Sequence, residues 1–440
     1  MKYFGTDGIR READFFTQDF LYKVAKGIVN YGGDNIKVLL AGDTRESTEW
    51  ILQDLATAFE TLGIEYASAG VLPTPGINHC FFAMGFDFAI DVTASHNPYT
   101  DNGLKIFERA TGGKLSDAGC AAIEEAIDNE VVPSELATTS LREDLHDEAV
   151  EIYREHLLEY IGDCDLSGLH IGMDCANGAT GVINKTVLEK LGAKVEVINT
   201  DTNYGRKINA DCGSLHIEFL SKFVVENGLD FGVAFDGDGD RSLFVDAKGE
   251  LVDGDELVVI IATALKLNYI GVTVVANQGI LNWAKEHNVK VETTPVGDHN
   301  IAVAMQKLGV QVGGEQNGHV LLPRKTAGDG LCVANVIAKI VAESGKSLAE
   351  LAKVMTKFPQ VVVNVPATAA EKEVFNTSEK VKQILANYDE KLAAVGGRVL
   401  VRPSGTENLL RVTMWGKDEN EINAFANMLA GELTVCIKEA

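Results

Sequence analysis

A chain of 440 residues, 46% hydrophobic and 23% charged, is long enough for about three domains of ~150 residues with ordinary cores. Its net charge of -25 disfavours nucleic acid and anionic membranes as partners, so any bound phosphate must be met by clustered arginines and lysines. No apolar run approaches the ~18 residues of a membrane span, the segment Met1 to Asp7 lacks a signal peptide's apolar core, and seven scattered cysteines without a C-x-x-C pair indicate reduced thiols in the cytoplasm instead of a disulfide frame or zinc site.

Residues 1–150 read as one unit of alternating helices and strands, the pattern of parallel βαβ units. The opening Gly5-Thr6-Asp7-Gly8-Ile9-Arg10 is a glycine-bearing loop ending in arginine, either a hairpin turn or a loop holding Arg10 over a phosphate. Leu21, Val24, Ala25, Ile28 and Val29 share a helical face; Ile36 to Ala41 is a strand; Ile51, Leu55, Phe59 and Leu62 mark a second helix; Tyr66 to Val71 is a strand. After a Pro-Thr-Pro turn and another helix, Phe88 to Val92 reads as a buried strand. Thr93-Ala94-Ser95-His96-Asn97-Pro98 follows at its carboxyl end, where open α/β sheets bind ligands. Ser95 on that stiff turn could be a nucleophile or a phosphoryl carrier, with Lys105 supplying positive charge; the alternative is a plain surface turn. The stretch from 130 to 150 is acidic and reads as helical, and a boundary is expected near 150.

Residues 151–250 form the second expected unit. His170 to Asp174 is a strand meeting the turn Ala176 to Gly181, whose spacing is not G-x-G-x-x-G and which reads as a packing turn. Ile208 to Ser214 is a polar loop. Phe231 to Phe235 is a strand ending in Asp236-Gly237-Asp238-Gly239-Asp240-Arg241. Carboxylates ~4 Å apart repel by about 4 kcal/mol at an effective dielectric near 20, so three of them call for a cation. A few oxygen ligands suit Mg²⁺, which keeps waters and accepts a phosphate oxygen. An EF-hand loop starting at Asp236 fails, because Arg241 and Ala247 stand where glycine and glutamate are required. A solvated acidic turn is the bland alternative.

In the third expected unit, 251–365, Val272 to Ala276 and Val291 to Val296 read as strands, and Ile301, Ala304, Met305 and Leu308 as a helix. Then comes Gly313-Gly314-Glu315-Gln316-Asn317-Gly318-His319. Glu315 offers acceptors to sugar hydroxyls, and His319 could bind phosphate or move protons, against the reading of both as surface polar groups. The last unit, 366–440, has a helical stretch (Val374, Val381, Ile384, Leu385), two adjacent strands and a C-terminal helix, a small α+β domain. Its loop Arg402-Pro403-Ser404-Gly405-Thr406-Glu407-Asn408, with Arg411 beyond, has the composition of a phosphate clamp on a hairpin.

The serine loop, the Asp-Gly-Asp-Gly-Asp-Arg loop, the Gly-Glu-Gln-x-Gly-His loop and the Arg-Pro-Ser-Gly-Thr-Glu loop, in this order from residue 5 to 411, resemble those of the α-D-phosphohexomutases. Among its subfamilies the chain is most similar to the phosphoglucosamine mutases, by Glu315-Gln316, Val296-Gly297-Asp298 and the Arg402 loop. It departs from the pattern at Arg11, His299 and Asn317, where glycine, arginine and serine are usual. The resemblance implies an α/β fold of four domains, three related and a smaller C-terminal one, around a central cleft. It implies interconversion of glucosamine 6-phosphate and glucosamine 1-phosphate through a phosphoserine and a hexose bisphosphate, which also serves as activator, feeding UDP-N-acetylglucosamine and cell-wall synthesis. Ser95, Lys105, Arg10 and His96 are then catalytic. Ser95, Asp236, Asp238 and Asp240 hold one Mg²⁺. Arg241, Glu315, Asn317, His319, Arg402, Ser404, Gly405, Thr406 and Arg411 bind a sugar phosphate, the expected partner apart from a second copy in a homodimer. Phosphomannomutase or phosphoglucomutase, a sugar phosphatase, and a non-enzymatic sugar-phosphate sensor are the competing readings.

Overall fold

Strands rich in Val, Ile and Phe gather into four separate sheets in the computed structural model, which describes residues 1–5, 7–141, 144–181, 183–325, 327–404 and 408–438. The first sheet runs Ile9–Glu12, Asp101–Glu108, Phe88–Val92, Lys37–Gly42, Glu65–Val71, with Gly113–Lys114 paired beside Asp101–Glu108. Phe88–Val92, Lys37–Gly42 and Glu65–Val71 are mutually parallel; Asp101–Glu108 returns antiparallel, and Ile9–Glu12 pairs antiparallel with it.

Alternation along these strands divides the core. Val38, Leu40, Ile90 and Val92 pack with residues of the helices Gln18–Gly32 and Glu46–Leu62. Leu39, Ala41 and Ala89 face the other way, toward Ile77 and Phe81 of the helix Thr74–Ala83. That second cluster continues through Ile171, Phe235, Val272 and Leu331, so the first three units share one apolar interior. Shared burial on this scale holds the units, and the loops they carry, against one another.

The second sheet runs Leu251–Val252, Ser242–Asp246, Phe231–Phe235, His170–Asp174, Lys194–Ile198, and the third Lys290–Thr294, Tyr269–Thr273, Val312–Gly314, Val320–Leu321. One device recurs in all three: a strand with a parallel neighbour, a loop at its carboxyl end, and an antiparallel return strand. Ser95 lies between Phe88–Val92 and Asp101–Glu108, Asp236 between Phe231–Phe235 and Ser242–Asp246, and Glu315 between Val312–Gly314 and Val320–Leu321.

The fourth sheet, Gln360–Pro366, Leu409–Trp415, Arg398–Pro403, is wholly antiparallel. It takes Gln360–Pro366 from before residue 366, a strand whose apolar Val361-Val362-Val363 run the sequence reading passed over. The helical stretch read there is two helices, Ala369–Thr377 and Glu379–Ala394, each opened by its own cap, Thr368 and Ser378.

Two other expectations move. Residues 130–141 carry no helix; Pro133 and the β-branched Val131, Val132, Thr138 and Thr139 disfavour one, and the helix His146–Ile161 begins later and runs through residue 150. The strand read at 272–276 is Tyr269–Thr273, because the chain turns where the Ala276 N–H donates to the Thr273 carbonyl. The described helices include none long and apolar enough to cross a membrane.

Candidate active site

Ser95 is fully buried and left-handed, with φ of 53°, a conformation that L residues hold only under outside constraint. Its N–H donates to Thr93 Oγ1 at 2.9 Å, and Thr93 Oγ1 donates to Asp43 Oδ2 at 2.6 Å. Asp43 Oδ2 also accepts from Arg45 Nε at 2.9 Å. The Arg45 fork then reaches the serine loop: Nη2 donates to the carbonyls of Ser95 and Asn97 at 2.8 and 2.9 Å, and Nη1 to that of Pro98. From the second unit, Asn209 Nδ2 adds a bond to the Ser95 carbonyl at 2.9 Å.

The aspartate loop faces this serine. Ser95 Oγ donates to Asp236 Oδ2 at 2.8 Å. A Cβ on Gly237 would stand 2.8 Å from the Ser95 carbonyl oxygen, so only glycine lets the two loops touch there. One oxygen from each of Asp236, Asp238 and Asp240 lies within 4.8 Å of the others, and all three residues are buried. Burial, with Asp238 and Asp240 alongside, pushes the Asp236 carboxyl well above its usual range. Burial works against Asp240 too, but Lys105, His319 and Arg241 outweigh it and hold that carboxyl below its usual range.

Lys105 Nζ lies 2.6 Å from Asp238 Oδ2 and 2.7 Å from Asp240 Oδ2. Its burial disfavours a charge, yet these carboxylates and Asp7 raise it well above an ordinary lysine, so it is an ammonium. The remaining oxygens, Asp238 Oδ1 and Asp240 Oδ1, are buried without a hydrogen bond. Buried carboxylate oxygens with no donor are what a hard divalent cation requires, so the three aspartates and Ser95 fit one.

The other expected residues divide by place. His96 Nδ1 is 3.3 Å from Ser95 Oγ, and burial, with Arg241 and Arg10, pushes its ring down to about 4, so it is neutral. Arg10 Nη2 pairs with Asp7 Oδ2 at 2.7 Å. Arg241 Nε stands 3.9 Å from both Asp236 Oδ2 and Asp240 Oδ1. Buried Glu315 accepts from the Gly297 N–H at 2.9 Å. Asn317 is exposed, and its Oδ1 accepts from the His319 N–H at 3.1 Å, an Asx turn that a serine hydroxyl could also make. His319 stands with Nδ1 3.9 Å from Asp240 Oδ1 and Nε2 3.4 Å from Asp298 Oδ2. Arg402 and Arg411 lie opposite each other across the fourth sheet, and Arg402 Nε is buried without a hydrogen bond. Ser404 is buried at the end of that hairpin; Gly405 and Thr406 lie outside the described residues. The turn at 176–181 is a packing turn as read, with the Ala179 N–H on the Gly237 carbonyl at 2.8 Å.

Sequence reasoning missed the residues that hold these groups. Asp43 and Arg45 follow a strand end and so occupy a ligand-facing position, the only signal they gave. Asp7, Lys114, Asp298 and Asn209 converge on the site from distant parts of the chain, and no spacing rule links them.

The chain belongs to the phosphoglucomutase/phosphomannomutase family, the α-D-phosphohexomutases: it matches the α/β/α domain I at residues 1–132, domain II at 151–249, domain III at 253–358 and the C-terminal domain at 337–432. Within that family its relatives include phosphoglucosamine mutases. The one from Caldicellulosiruptor saccharolyticus is 38% identical over 450 residues, and that from Clostridium novyi 39% over 442, each covering 98% of both chains. A family protein from Burkholderia thailandensis shares the fold at a TM-score of 0.77 and 20% identity over 99% of this chain and 97% of that one. So does Aspergillus fumigatus N-acetylphosphoglucosamine mutase, solved with GlcNAc-6P and magnesium, at 0.62 and 18% over 99% and 96%.

Proposed function

We propose that the protein is a phosphoglucosamine mutase, interconverting glucosamine 6-phosphate and glucosamine 1-phosphate through a phosphorylated Ser95 and a hexose bisphosphate. The observation that carries this reading is the Ser95 hydroxyl, 2.8 Å from Asp236 in a buried cluster that also contains Asp238, Asp240 and Lys105. A serine bonded to one carboxylate, in a cluster of three carboxylates and one ammonium, is a poor hydrolytic triad but a suitable mount for a phosphoryl group.

Transfer proceeds as the bond from phosphorus to Ser95 Oγ breaks and one to a free sugar hydroxyl forms. Lys105 gives its proton to Ser95 Oγ and regains one from the attacking hydroxyl. The sugar, now a bisphosphate, turns over, and its other phosphoryl group returns to Ser95. Mg²⁺, held by Asp236, Asp238, Asp240 and Ser95, would supply charge neutralisation and polarise the phosphoserine. Arg10 spreads the negative charge of the transferring group, and neutral His96 orients Ser95 Oγ. Arg241, Glu315, Asn317 and His319 read the sugar, while Arg402, Ser404 and Arg411, with Gly405 and Thr406, grip the phosphate that is not reacting. A catalytic amount of hexose bisphosphate primes Ser95. The functional units divide near residues 150, 250 and 365, with the helix His146–Ile161 and the strand Gln360–Pro366 bridging two of these points. Seven free cysteines, six of them buried, suit the reducing cytoplasm.

The test is relative kcat/KM on glucosamine, glucose and mannose 1-phosphates, with Mg²⁺ and a trace of glucose 1,6-bisphosphate. Glucosamine 1-phosphate is the expected preference. Preference for glucose or mannose would reassign the substrate, and stoichiometric release of inorganic phosphate would make the protein a phosphatase.

A further inference from the structure

Lys114 belongs to no recognisable motif. It lies on the two-residue strand Gly113–Lys114 at the margin of the first sheet. Its Nζ is 2.7 Å from Asp7 Oδ1 and 2.8 Å from Asp298 Oδ2, so one ammonium joins the N-terminal loop to the third unit. Both partners have a second engagement. Asp7 Oδ2 accepts from Arg10 Nη2 at 2.7 Å and lies 3.2 Å from Lys105 Nζ. Asp298 Oδ2 lies 3.4 Å from His319 Nε2.

His319 Nδ1 and Lys105 Nζ both approach Asp240, at 3.9 Å from Oδ1 and 2.7 Å from Oδ2. Six side chains thereby close a ring: Lys105, Asp7, Lys114, Asp298, His319, Asp240. It draws on the first, second and third units, and carboxylates alternate with nitrogen bases all the way round. Within the ring the Lys114 side chain is 24% exposed, against 20% for Asp7 and 9% for Asp298, so screening by water is partial.

The geometry points to Lys114 as a positioning residue for phosphoryl transfer: by holding Asp7 and Asp298 together, it sets Lys105 and Arg10 of the first unit at a fixed distance from His319 of the third. This inference rests on the mutase reading above. A displacement of ~1 Å between reacting groups can cost about 100-fold in rate, so a residue that touches no substrate can still govern turnover. The competing account is an inter-unit ion pair that adds stability only. It predicts a lower unfolding temperature with kcat intact in the folded protein.

Lys114→Met keeps the aliphatic stem and removes the charge; Lys114→Arg keeps the charge; Asp298→Asn removes the partner. Each full-length variant is measured for kcat, KM and thermal midpoint, with wild-type Ser95 phosphorylation by glucose 1,6-bisphosphate as control. The expected result is a kcat lowered about 10–100-fold in Lys114→Met, with KM within ~3-fold and Lys114→Arg recovering most of the loss. The double variant Lys114→Met/Asp298→Asn should lose less than the product of the two single losses, because both variants break the shared Lys114–Asp298 contact. Wild-type kcat in folded Lys114→Met, or losses that multiply in the double variant, would overturn the inference. A wild-type protein that takes no phosphoryl group onto Ser95 would instead overturn the mutase reading, and this inference with it.

Discussion

Arg45 holds Ser95 by the backbone and not by the side chain: its guanidinium caps the Ser95 and Asn97 carbonyls at 2.8 and 2.9 Å while Asp43 fixes it from behind at 2.9 Å. Lysine keeps the charge but not the planar fork. Arg45→Lys should therefore fold and turn over about 10–100-fold more slowly, with the serine loop free to shift by a fraction of an ångström. Arg45→Met leaves Asp43 buried and unpaired and should lose about 3–5 kcal/mol of stability, read as a drop in urea midpoint. Arg45→Lys at full activity would show that the loop is set by its own turn.

Ser95→Ala should lose at least roughly 10³-fold in turnover, the scale expected when a covalent carrier is removed. It should also fail to incorporate label from phosphoryl-labelled hexose bisphosphate. Substantial turnover in this variant would exclude the serine as carrier.

Removal of divalent cations should abolish activity, and Mg²⁺ should restore it. At a hundredfold excess over Kd, an ion that binds only the folded chain adds about 2.7 kcal/mol, so the thermal midpoint should rise with Mg²⁺. Asp238→Asn should lose both the rise and the activity. A midpoint indifferent to Mg²⁺ in wild type would refute a cation at the triplet.

Arg402 lies directly opposite Arg411, and like charges so placed repel. Burial and Arg411 together push the Arg402 guanidinium below its ordinary range. Arg402 Nε, buried without a hydrogen bond, is a donor ready for an oxyanion. Arg402→Ala should raise KM about 10–100-fold, the worth of a lost charged hydrogen bond of roughly 1.5–3 kcal/mol, without lowering the thermal midpoint of the ligand-free protein. An unchanged KM would place the substrate phosphate elsewhere.

His156 stacks on His79 at 3.8 Å and meets Lys325 Nζ at 2.5 Å. Burial, then Lys325 and His79, push it down to about 4. The unfolded ring titrates near ~6.5, so between those values the unfolded chain binds the extra proton. The contribution to stability is complete above ~6.5 and is lost as pH falls toward 4. Urea midpoints measured from pH 7.5 to 5 should fall less steeply in His156→Gln than in wild type. Parallel slopes would show that other groups set the acid sensitivity.

Much of the fold was open to reading because its strands are apolar runs with charged or glycine-rich ends. Phe231–Phe235 and Phe88–Val92 stand where the pattern put them, and three of the four loops meet around Ser95 and Asp236. What the chain hid was of two kinds. Gln360–Pro366 has a mixed burial pattern on an edge of the fourth sheet, so no strict alternation announced it. Lys114, Asp298, Asn209 and Arg45 act through partners far along the chain, Lys114 and Asp298 being 184 positions apart, and a pairing at that range leaves no periodic trace.

Each functional loop of the first three units is anchored by strand pairing at both its ends, Val92 with Leu104, Phe235 with Ser242 and Gly314 with Val320. Adding or deleting one residue there would have to slip the return strand by one step and turn its inward side chains outward. Length variation among homologous chains should therefore concentrate in the helical crossovers and spare these three hairpins, a pattern that an alignment by length alone can check without knowing a single catalytic residue.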